Sequence, residues 1–99
     1  MAESFTQILN SEIPVLVDFH AEWCGPCKAM APELKSFAQL HKDQLRVLKV
    51  DIDKNRKLAT ELNIQGVPTL ILYHKGKVIW RQSGVITASQ LWDGIKALI

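Results

Sequence analysis

The chain is predicted to fold as an α/β protein in which a mixed four-stranded sheet carries helices on both faces. Two patterns predict this. An apolar run, a long helical pattern and a second apolar run follow one another between residues 15 and 51, as in a βαβ unit whose crossover should be right-handed. Two further apolar runs then flank Lys75-Gly76 at hairpin spacing, with Gly where a positive φ is needed. Along the chain, Phe5, Ile8 and Leu9 give the i, i+3, i+4 stripe of a short first helix, capped by Ser4 or the residue before it and ending near Asn10 to Pro14. Val15 to Phe19 is apolar on both faces except at Asp18, the mark of a central strand covered by helices. After Gly25-Pro26, the residues Met30, Leu34, Phe37, Ala38 and His41 share one helical face, and Pro32 within that helix should kink it. Leu45 to Asp51 reads as the second strand, with Lys49 in otherwise apolar surroundings. A short helix bears Leu58, Ala59 and Leu62. The antiparallel pair Thr69 to Tyr73 and Val78 to Arg81 follows, and Thr87-Ala88-Ser89-Gln90 is a capping box for a last helix with Leu91, Ile95 and Leu98 as its stripe.

Ninety-nine residues, 47% of them hydrophobic, are enough for one core and not for two, so residues 1–99 are expected to form a single domain. No repeat or linker divides them. Charges of both signs are interspersed and the net charge is only +2, which argues against a nucleic-acid surface or an acidic tail. Acidic and polar residues such as Glu3, Asn10, Glu12 and Asp18 interrupt the first twenty positions, and no apolar run approaches the roughly 20 residues needed to cross a bilayer. A cytoplasmic protein with no membrane association is expected, an exported form with its leader removed staying open.

The only two cysteines, Cys24 and Cys27, stand three positions apart. A bridge between them closes so short a loop that it removes little entropy from the unfolded chain, which makes stapling a poor reason for the pair. Catalysis and metal binding are the remaining uses for such close thiols in a reducing compartment. Zinc would need further ligands, and His20, His41 and His74 show no paired spacing. The pair follows a strand and opens a helix, outside the carboxyl end of the first strand, where sites in such sheets collect. There the unsatisfied N–H groups and the helix dipole favour a thiolate at Cys24, the nucleophilic form.

The stretch Ala21-Glu22-Trp23-Cys24-Gly25-Pro26-Cys27-Lys28 resembles the active-site segment of the thioredoxin family, and the likeness extends over nearly the whole chain from Phe5 onward. The resemblance implies a thioredoxin fold. It also implies thiol–disulfide exchange, in which Cys24 attacks a substrate disulfide and Cys27, expected to be the more buried, resolves the mixed disulfide. For Asp18, the residues leave two readings open: a carboxylate buried at a cost, with a raised pKa, or one turned to solvent or paired with Lys49. The resemblance favours a proton relay to the buried cysteine, with Lys49 as its charged partner. Gly66-Val67-Pro68-Thr69 matches the family's loop with a cis proline, a geometry that base rates for X-Pro bonds would not predict. Trp23, Gly66, Val67, Pro68 and Gly84 would then rim an apolar docking surface, with Val67 offering its backbone to an extended substrate segment. Trp80 and Trp92 read as packing residues.

Two departures from the family are visible. His20 stands where an aromatic residue is common, a place from which it can alter nearby titrations. The family's first strand, which precedes the first helix, is expected to be missing, which would leave a sheet edge exposed or the domain slightly less stable. The expected activity is that of a monomeric protein-disulfide reductase with no bound cofactor, drawing electrons from NADPH through a separate thioredoxin reductase. A disulfide oxidase or isomerase is the rival within the same chemistry, and a thioredoxin-fold binding module is the rival outside it.

Overall fold

A computed structural model describes residues 4–99. In chain order the elements are α1 (Phe5–Leu9), β1 (Val15–His20), α2 (Gly25–Leu40), β2 (Arg46–Asp51), α3 (Arg56–Glu61), β3 (Thr69–His74), β4 (Lys77–Ser83) and α4 (Ala88–Ile95), the last running into a 3₁₀ turn at Lys96–Leu98. The strands lie in the order β2-β1-β3-β4. β1 runs parallel to β2 and antiparallel to β3, and β4 returns antiparallel to β3. The expected mixed four-stranded sheet is present. Among the described residues no strand precedes α1, so β2 is an edge.

Because β1 and β3 are central, alternate side chains of each enter different cores. Leu16, Leu70 and Leu72 pack under α2 and α4 against Met30, Leu34, Phe37, Leu91 and Ile95. Val15, Val17, Phe19, Ile71 and Tyr73 face the other way, toward Leu9 and Phe5 of α1 and Leu58 of α3. Phe5 closes this second core with edge-on contacts to Phe19 and Tyr73. Asp18 and His20 are on the same side of β1 as Leu16, so both face the α2 side of the sheet.

The end signals act as read. Ser4 and Thr87 each accept from the backbone N–H three residues on, and Gln7 and Gln90 reach back to complete both capping boxes. The residue before Ser4 lies outside the described part. Lys75 and Gly76 both have positive φ, 53° and 81°, giving the two-residue turn whose twist matches the flanking strands. α2 runs through Pro32 unbroken. A register shift between β3 and β4 pairs Leu72 with Trp80 but Tyr73 with Val78, leaving Ile79 as an extra residue. Ile79 and Trp80, although consecutive, consequently both pack on the α2/α4 core, which strict alternation forbids. Trp92 is also half-buried against that core.

Lys49 is exposed on the edge strand β2, yet it lines a cleft with the apolar Ala31, Leu34, Ala38 and Val47, a lysine there carrying its ammonium to water along its own stem. One expectation needs correction. Leu98 is 44% exposed, because the last helix tightens to 3₁₀ geometry after Ile95 and a three-residue period leaves the apolar stripe.

Candidate active site

β1 ends at His20, and after four residues, Ala21 to Cys24, the chain enters α2. Cys24 is the N-cap of that helix: its backbone is still extended (φ −88°, ψ 109°), and its sulfur accepts the Cys27 N–H at 3.1 Å. The local sequence arranges this. Gly25 opens the helix, and Pro26 fits the first turn, where its missing N–H would have had no partner in any case. The Cys27 amide is therefore a free donor aimed at the Cys24 sulfur. Sixteen residues of helix stand behind it, with no acidic residue in the first turn. A charged sulfur gains more from such a donor and from the aligned peptide dipoles than a neutral one does.

Cys24 and Cys27 are joined by a disulfide. They form a small cluster with Ala21, against which Ile52 and Val67 pack. The expectation that Cys27 is the more buried is not met: Cys24 is 3% exposed and Cys27 7%. The reason is lateral cover. Val67 packs beside Cys24, and its carbonyl oxygen lies 3.5 Å from the Cys24 sulfur, whereas Cys27 borders a cleft of about 300 Å³ shared with His20, Ala31 and Lys49.

The loop opposite the sulfurs is built from β3 and β4. The Val67–Pro68 bond is cis, as the family resemblance implied. Thr69, 1% exposed, donates its hydroxyl to the Gly66 carbonyl at 2.6 Å and meets Ser83 Oγ at 2.9 Å, and the Gly84 amide donates to the Pro68 carbonyl at 2.9 Å. Gly84 has φ 95°, a conformation open to glycine and strained for other residues. Of the expected rim, Trp23 is 68% exposed, Gly66 and Gly84 are exposed and Val67 is half-buried. Pro68 is buried and underlies the surface instead of rimming it.

Asp18 is 1% exposed, and its Oδ1 has no hydrogen-bond partner. Burial pushes its pKa above the usual carboxylate value, and the positive charges of His20 and then Lys49 oppose that shift. Lys49 is its register partner on β2, yet no ion pair within 4 Å joins Asp18 to any residue among those described. The solvent-facing and directly paired readings of Asp18 therefore fall. No group of three or more His, Cys, Asp and Glu side chains among the described residues is placed to hold a metal ion.

Residues 1–97 match the family model described as Thioredoxin. The chain belongs to the thioredoxin family. Its members are disulfide oxidoreductases, and the bridged Cys24–Cys27 pair places this chain among them. A thioredoxin of Acidithiobacillus ferridurans is 46% identical over 86 residues, which cover 87% of this chain and 80% of that protein. A bifunctional thioredoxin reductase/thioredoxin of Mycobacterium leprae is 45% identical over 83 residues, 84% of this chain and 18% of the larger protein. The thioredoxin fold extends to a solved structure described as concerning the thiol resolving mechanism of yeast mitochondrial 1-Cys peroxiredoxin via glutathione/thioredoxin systems. Its matching chain has a TM-score of 0.85 at 32% identity, covering 94% of this chain and 86% of that one. No helix of this thioredoxin-family chain among the described residues is long and apolar enough to cross a membrane.

Sequence reasoning missed three contributors to the site. The Trp23 indole N–H donates to Asp53 Oδ2 at 2.7 Å, which fixes an otherwise exposed ring beside the sulfurs. Ser83 supports the proline loop through Thr69, and Ile52 packs on the cysteine pair. No local signal marks them, because their partners lie 14 to 30 residues away along the chain.

Proposed function

We propose that this chain, acting through residues 1–99 as one monomeric unit, reduces disulfides in other proteins. The observation that carries this reading is the N-cap geometry: a cysteine sulfur receiving an amide N–H at the start of a long helix, one turn from its partner sulfur. In the reduced protein the Cys24 thiolate attacks one sulfur of a substrate disulfide, and the other sulfur leaves as a thiolate that takes a proton from water. Cys27 then gives its proton to the Asp18 carboxylate, and its thiolate attacks Cys24 Sγ. The Cys24–Cys27 bond forms, the bond from Cys24 to the substrate breaks, and the second substrate sulfur leaves reduced. Two electrons pass from the dithiol to the substrate.

Val67 offers backbone beside the sulfurs, with Gly66 before it and Gly84 bonded to the neighbouring Pro68, and Trp23 supplies an exposed apolar face. A substrate held as an added strand is recognised mainly through its main chain, which suits a reductase of many proteins. Lys49 acts as a charge near Asp18. The oxidised pair is returned to dithiol by a separate thioredoxin reductase spending NADPH, a coupling supported by the relative that joins both activities in one chain. The protein itself carries no cofactor, and a cytoplasmic site of action is part of this reading.

The test is NADPH oxidation by a thioredoxin reductase in the presence of this protein and insulin. Turnover dependent on both cysteines is expected. Failure of the protein to accelerate insulin reduction even by dithiothreitol would refute the reading and leave a binding module. A reduction potential near about −270 mV is expected, and one near about −120 to −180 mV would assign an oxidase or isomerase instead.

A further inference from the structure

Among the described residues nothing pairs with the outer side of β2. The Arg46 and Ile52 amides donate to the Pro14 and His20 carbonyls, each at 2.9 Å. Alternate residues of a strand point their backbone groups the same way, so Arg46, Leu48 and Val50 are committed to β1 while Val47, Lys49 and Asp51 turn theirs outward. The Asp51 carbonyl is taken by Asn55 Nδ2 at 2.9 Å, which closes that end of the row. β2 keeps an unbroken register, whereas the other edge, β4, carries the extra residue Ile79, a feature that turns an edge away from new partners.

The same alternation places Val47 and Lys49 on the α2 side, where they border a groove of about 400 Å³ with Leu34 at its wall. The stripe of α2 facing it is Lys28, Ala31, Lys35 and Ala38, at helical spacing, and the two alanines leave the space that longer side chains would fill. Ala31 and Lys49 also border the cleft that reaches Cys27, so the groove adjoins it. Lys28, Lys35 and Lys49 are exposed and form no ion pair within 4 Å among the described residues.

We infer that β2 takes an extended acidic segment of a partner protein as an added strand. An apolar side chain of the segment enters the groove, and acidic side chains flanking it meet the lysines. Main-chain bonds to Val47 and Lys49 hold the segment, and the groove with its charges selects its sequence. A second copy of this chain does not fit the edge. In the two fullest antiparallel registers, 46–50 on 46–50 or 47–51 on 47–51, Lys49 meets the Lys49 of the other copy diagonally or head-on, and like charges so placed repel. The inference does not rest on the reductase reading, because β1 separates β2 from β3, whose leading loop carries Val67.

The experiment titrates the nitrogen-15-labelled, oxidised chain with the blocked peptide Thr-Glu-Thr-Val-Thr-Glu-Thr. Saturable NMR shifts and slowed hydrogen exchange are expected at the Val47, Lys49 and Asp51 amides, weakening as salt is raised. The peptide with Lys in place of Glu should not bind. Lys35→Glu should weaken binding about threefold. Val47→Pro, which removes an outward N–H and no bond to β1, should weaken it about fivefold. Analogues N-methylated at alternate amides should lose binding in one of the two phases. The proposal is overturned by the lack of a saturable shift at these amides up to about 5 mM peptide, by undiminished affinity in K35E, or by equal binding of both methylated analogues, which would leave diffuse charge attraction only. A concentration-dependent dimer of the chain alone, protecting the same three amides, would also overturn it by giving the edge to a second copy.

Discussion

Replacing Asp18 by Asn removes a charge from a position that gives it almost no water and leaves Oδ1 without a partner. Its consequence for stability depends on pH in a calculable direction. Burial raises the pKa of Asp18 above its ordinary value of 3.8, so the folded state holds the proton more tightly than the unfolded state does. Between those two pKa values the folded protein has one more bound proton. Its stability then falls by about 1.4 kcal/mol for each pH unit gained, and it becomes constant again above the raised value. In acid both Asp18 and Asn are neutral, and the variant should match the wild type. At pH 8 the wild type bears the desolvated charge, and Asn should be the more stable by about 1–3 kcal/mol, the range found for burying an uncompensated polar group. In a domain of this size each kcal/mol moves Tm by roughly 4–8 °C. Urea unfolding of the oxidised proteins at a series of pH values measures this directly. Equal stability differences at pH 4 and pH 8, or a less stable Asn variant at pH 8, would refute the account of Asp18 as a buried and unpaired carboxylate. The same substitution deprives Cys27 of its base, so turnover in insulin reduction should fall while stability rises. A variant that gains stability and loses rate together would show that the strain at Asp18 serves the chemistry.

Other outcomes are open to test. Cys27→Ser should accumulate a covalent mixed disulfide through Cys24 with a protein substrate, seen by non-reducing electrophoresis; failure to trap it would remove the assigned order of attack. Val67→Pro deletes the amide proposed to hold substrate main chain, and kcat/KM for insulin should fall by about tenfold, the loss of one hydrogen bond to the docked strand; undiminished activity would count against strand-like docking. Thr69→Val keeps the side-chain shape but leaves the Gly66 carbonyl without its hydroxyl donor and removes the partner of Ser83. Unfolding free energy should drop by about 1–3 kcal/mol, and a change below about 0.5 kcal/mol would show that these contacts do not hold the loop.

Much of the fold was legible because its elements are specified locally. The i, i+3, i+4 stripes, both capping boxes, the Lys75-Gly76 turn and the two-faced apolar strands β1 and β3 each depend on residues within a few positions of one another. The cysteine pair was legible for the same reason, since Cys24, Gly25, Pro26 and Cys27 form their own helix start.

The tertiary structure decided what depends on strand order and loop closure. Only the order β2-β1-β3-β4 makes β2 an edge, and this leaves Lys49 exposed beside its apolar neighbours. Covering β1 by α2 makes Asp18 a buried and unpaired acid, where its immediate neighbours allowed a solvent-facing one. The Val67–Pro68 loop settles against Cys24, so the cysteine expected to be the more open is the more covered. Burial and electrostatic environment are sums over atoms that distant segments bring together. They are therefore absent from the spacing of residues along the chain, while the hydrogen bonds of a cap or turn are contained in it.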